Sequence, residues 1–84
     1  MKNVKKAVEE YNEEALVMKG FDDAIIGMCY QYGRHPVVAY DREKVIEILM
    51  KKMNRDEAED FWDYNQIGSW MGEGMPVFIE KFTT

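Results

Sequence analysis

FDDAIIGMCYQYG, residues 21–33, decides the fold class, because two rules read it differently. Its β-branched and aromatic content favours a strand. Its spacing favours a helix: Ile25, Met28, Cys29 and Tyr32 fall at i, i+3, i+4 and i+7, with no alternation of period two. Asp22 is placed to cap such a helix and Gly33 to stop it, with Pro36 three residues beyond. On these signals the spacing predicts a helix over 23–32. Gly27 inside it costs about 1 kcal/mol relative to alanine, which marks a close backbone approach.

Downstream, PVVAY (36–40) is a short strand bounded by proline that feeds straight into Asp41. A helix over 41–53 follows. Val45, Ile46, Ile48, Leu49, Met50 and Met53 share one face, and Glu43, Lys44, Glu47 and Lys51 lie opposite. Asp41 is its natural N-cap. Asn54 caps the next helix, over 55–67, where Ala58, Phe61, Trp62 and Asn65 share a face. Pro76–Glu80 is the other β-rich run, so 36–40 and 76–80 are expected to form a minimal two-stranded sheet. Upstream, Val4, Ala7, Val8, Tyr11, Ala15 and Met18 line one arc of a helix over 3–19, ended by Gly20. The expectation is one α+β domain over 1–84, mostly α, with four helices. Residues 1–20 form either a packing arm or an apolar strip that serves a homo-oligomer.

Composition excludes several functions. A net charge of −5 argues against a general DNA- or RNA-binding module and against binding to anionic membranes, and it suits a basic protein partner. One cysteine and one histidine make neither an internal disulfide nor a Cys/His zinc set. A lone cysteine in so small a domain points to a reducing compartment. No run is long and apolar enough to span a membrane, and MKNVKKAVEEYNEE turns acidic where a signal peptide needs its apolar core. Cytoplasm is the expected compartment, with no metal and no cofactor. There is no phosphate-cradling glycine loop and no nucleophile elbow.

Two sets of residues are candidates for function. Asp56, Glu59, Asp60 and Asp63 give the 55–67 helix an acidic face, read either as a solvated surface or as a patch for a basic partner. Trp70, Met71 and Met75 are too apolar for an idle loop, and extend that patch unless they fold onto the core. The alternative is a small-ligand or nucleotide sponge, or a minor enzyme, with a pocket built from Asp22, Asp23, Tyr40, Asp41, Asn65 and Glu73, polar groups expected at element ends around the sheet. Asp22 and Asp23 equally suit a helix start, and Cys29 reads as a small buried hydrophobe.

The segments FDDAIIG (21–27), HPVVAYDREKVIEILM (35–50), EAEDFWDYNQIGSW (57–70) and GEGMPVF (72–78) resemble a family of small proteins common in tailed bacteriophages and prophages. The resemblance covers about three quarters of the chain, by ordered pattern, and leaves out 3–19. It carries no catalytic residues. It implies an accessory protein in the cytoplasm of an infected bacterial cell. Such a protein acts by binding a host enzyme, a polymerase subunit or a defence protein, in host takeover or anti-defence.

Overall fold

The computed structural model describes residues 4–64 and 74–82. Within them lie helix α1 (Val4–Glu9), a 3-10 turn (Asp22–Ala24), strands β1 (Ile25–Gln31) and β2 (Arg34–Asp41), helices α2 (Arg42–Leu49) and α3 (Arg55–Trp62), and strand β3 (Val77–Ile79). The strands form one sheet in the order β1-β2-β3, antiparallel between β1 and β2 and parallel between β2 and β3. This is a mixed α+β fold, not the mostly α chain with four helices and two strands that periodicity predicts.

The largest correction is the predicted helix over 23–32, which is a three-residue 3-10 turn followed by β1. Register explains the misleading spacing. Ile25 pairs with Tyr40 and Gly27 with Ala39, so β1 advances two residues while β2 advances one, and Ile26 is a bulge. Ile25 and Met28 lie opposite core-facing Tyr40 and Val38. The inserted residue places them three apart, the spacing of a helix. At the other end Cys29 pairs with Val37 and Gln31 with Arg34, so the extra residue lies in β2 beside Pro36. A bulge tolerates the absence of an N–H at proline. Asp22 makes no cap, since no side chain caps the 3-10 turn. Gly33 ends nothing helical. With φ of +73° it takes the left-handed position in the hairpin turn.

The predicted helix over 3–19 runs only from Val4 to Glu9. Asn12 ends it by competing for the backbone. Its Oδ1 accepts from the Glu14 N–H (3.0 Å), and its Nδ2 donates to the Pro36 carbonyl across the chain (3.0 Å). The rest is a strap: the Leu16 N–H donates to the Gly74 carbonyl (2.9 Å) and the Met18 N–H to the Tyr40 hydroxyl (2.7 Å).

The helix expected over 41–53 is regular from Arg42 to Leu49, where it relaxes into turns. The Lys51 and Lys52 N–H groups there bond to Ile48 and Leu49, three residues back. Asp41 caps it, Oδ1 accepting from the Glu43 and Lys44 N–H groups (3.1 and 3.4 Å). The helix expected over 55–67 is regular over Arg55–Trp62, and 65–67 fall outside the described residues. Asn54 and Glu57 close a reciprocal capping box at its start (2.9 and 3.1 Å). The pairing of PVVAY with the last β-rich run is present, parallel, and involves Ala39 to Asp41 with Val77 to Ile79.

The core lies between the sheet and the helices. Tyr40, Ile46, Val38 and Val45 are its largest fully buried side chains, joined by Ala58 and Trp62 of α3 and Val8 of α1. β2 is buried on both faces from Val37 to Tyr40. The Tyr40 ring stacks on Phe78 at 5.7 Å, and Phe78 meets Trp62 edge-on at 5.5 Å, so aromatic contacts tie β2, β3 and α3 together. Burial raises the pKa of Tyr40 above its ordinary 10.0; the Met18 N–H offsets this in part, and the charge of Asp22 adds to it.

Candidate partner-binding surfaces

Three surface regions collect chemistry. The first is a cleft of about 410 Å³ lined by Asp41, Arg42, Glu43, Arg55, Glu80 and Lys81, where β2 and β3 end and α2 begins. Its three cations face three anions. Arg55 grips Glu43 with two bonds of 2.8 Å and reaches Glu59 at 3.3 Å. Arg42 lies 4.5 Å from the centroid of the Trp62 ring, with Glu59 and Glu80 at 3.9 and 3.8 Å. Lys81 sits 3.5 Å from Asp41. The bond from Arg55 holds the Glu43 carboxyl below the ordinary carboxylate value, and Glu43 in turn holds the Arg55 proton more tightly. Every charged group lining the cleft thus has a counter-ion. Beneath Arg42, the Trp62 indole N–H is buried with no hydrogen-bond partner among the described residues.

The second region is the outer face of α3. Asp56 and Asp60, with Asp63 just past its end, are exposed, and none is ion-paired among the described residues. Glu59, predicted to join them, is taken by Arg55 and Arg42 instead. Beside the acids, Phe61 and Tyr64 are 40% and 82% exposed. Phe61 therefore stands at the margin of the core rather than inside it.

The third is an apolar groove of about 430 Å³ between α1 and β1, lined by Val4, Ala7, Tyr11, Met28 and Tyr30 among others. Tyr11, Tyr30 and, at the hairpin tip, Tyr32 are widely exposed. Reading β1 as a helix hides this cluster. The tyrosines of a YQY run beside a turn glycine are the signal that could have found it.

Of the six residues of the alternative pocket, Asp22, Asp23, Tyr40 and Asp41 are described. Asp41 caps α2 and pairs with Lys81, Asp22 and Asp23 are exposed at the 3-10 turn, and the charge of Asp22 acts on buried Tyr40. Asn65, Trp70, Met71 and Glu73 lie outside the described residues, and Met75 is half-buried before β3. Cys29 is half-buried, in register with Val37. Among the described residues no group of three or more His, Cys, Asp or Glu is arranged to hold a metal, and no helix is long and apolar enough to cross a membrane. No family model, curated protein or solved structure matches the chain.

Proposed function

We propose that this chain acts by contact with another protein, using the outer face of α3. The observation that supports this is the combination of carboxylates not ion-paired among the described residues, Asp56, Asp60 and Asp63, with exposed aromatic surface at Phe61 and Tyr64. They stand on a helix held at its start by a capping box and at its inner face by Trp62. Acids steer a basic partner into contact and aromatics supply the buried area once it arrives. From the resemblance to phage accessory proteins comes the rest of the proposal: the partner is a host or defence protein of a bacterial cell, inhibited or redirected by being bound.

The test is affinity capture from bacterial lysate at low salt, with wild type against Asp60→Lys and Asp63→Lys combined. The variant should keep the wild-type melting temperature, lose the captured protein, and show slower, less salt-sensitive association. Equal capture by both, or none by either, removes the proposal. A second reading, a small-ligand or nucleotide sponge, draws support from the cleft's position at the carboxyl ends of parallel strands. A nucleotide bound there at a hundred times its Kd would stabilise the fold by about 2.7 kcal/mol, visible as a rise in Tm.

A further inference from the structure

We infer that the open edge of β1 pairs antiparallel with β1 of a second copy of this chain, joining two sheets across a two-fold axis. β1 is an outer strand, with no strand on its far side among the described residues. Unpaired N–H and C=O groups along such an edge are a template for another strand, and natural edges are guarded by charges, prolines or bulges. From Ala24 to Gly33 this edge carries ten residues with neither charge nor proline, in a chain that is 32% charged. Its one guard is the bulge at Ile26, which leaves Gly27 to Gln31 beyond it.

Charge returns at both ends of the strip, with opposite sign. Asp22 and Asp23 precede the strand and Arg34 follows the hairpin turn; all three are exposed and none is ion-paired among the described residues. An antiparallel neighbour sets its aspartates beside this copy's Arg34, and the two-fold axis repeats the match. A parallel neighbour would set like against like at each end. Arg34 is level with Gln31, one strand in from the edge. Two strand spacings, about 10 Å, then separate it from the neighbouring strand, within the joint reach of an arginine and an aspartate. A net charge of −5 makes the surface as a whole repel a second copy. The uncharged strip with complementary ends is where that repulsion lapses. Ile26 and Tyr30, 45% and 70% exposed, add apolar contact beyond the backbone bonds.

Sedimentation of the purified chain over a range of concentrations tests this. The wild type should dimerise. Asp23→Arg alone and Arg34→Asp alone should each weaken the dimer about tenfold or more by setting like charges together. The two combined should return it towards wild type, because the pairs re-form with signs exchanged. Ile26→Lys, a charge on the edge itself, should abolish the dimer with the circular dichroism spectrum unchanged. A wild type that stays monomeric to its solubility limit, single variants that dimerise as well as it does, or a combined variant no better than the singles each overturn the inference. The α3 reading stands apart from it: Asp60→Lys should leave the dimer intact, and Asp23→Arg should leave capture of a partner protein intact.

Discussion

β1 and β2 are two strands of one hairpin, each with a pair of adjacent β-branched residues, Ile25-Ile26 and Val37-Val38, and opposite in circumstance. β2 is central, hydrogen-bonded on both sides and buried on both faces from Val37 to Tyr40. β1 is an edge, broken in phase by the Ile26 bulge, with Ile26 and Tyr30 open to water. What a β-branched run contributes therefore depends on what stands beside it. In β2 both such residues are buried in the core, whereas in β1 Ile25 packs against it and Ile26 is left at the surface.

Truncating one β-branched residue in each strand breaks or sharpens that contrast. Val38→Ala in β2 should cost about 2–3 kcal/mol, from lost apolar burial and the cavity left behind. Ile26→Ala in β1 should stay within about 0.5 kcal/mol, as exposed sites usually do. Urea unfolding measures both, and equal losses would mean that the edge is as much core as the centre.

Tyr40→Phe comes next, removing the acceptor for the Met18 N–H from the central strand for about 1–2 kcal/mol. It also has a signature in pH. Because the folded pKa of Tyr40 is raised above 10.0, the folded chain holds that proton more tightly than the unfolded one. Its contribution is complete below the unfolded value and is lost as pH rises through the folded one. Thermal melts between about pH 9 and pH 11 should therefore fall more steeply for wild type than for Tyr40→Phe.

Glu43→Gln should have the smallest effect, because the pair with Arg55 is exposed and screened by water. The carboxyl of Glu43 lies below its ordinary value, so what stability it brings is present above about pH 4.5 and fades as pH falls through its folded pKa. Acid titration of the melting temperature, wild type against variant, reads that difference.

What the sequence determined by itself was whatever closes within a few residues. Asp41 and Asn54 announce their helices because a side chain bonds to N–H groups two or three positions on. Arg55 and Glu59 meet because a helix turn brings i and i+4 together. The second set of features was decided by partners far along the chain. Asn12 ends α1 by bonding to the carbonyl of Pro36, 24 residues away. Ile25 and Met28 are strand residues because β2 lies beside them, and the bulge that disguised them exists only in that pairing. Arg42 reaches Glu59 and rests on Trp62 because α2 packs against α3. Periodicity records which residues turn inward, but the step between them depends on a backbone conformation that hydrogen bonds to a distant strand select.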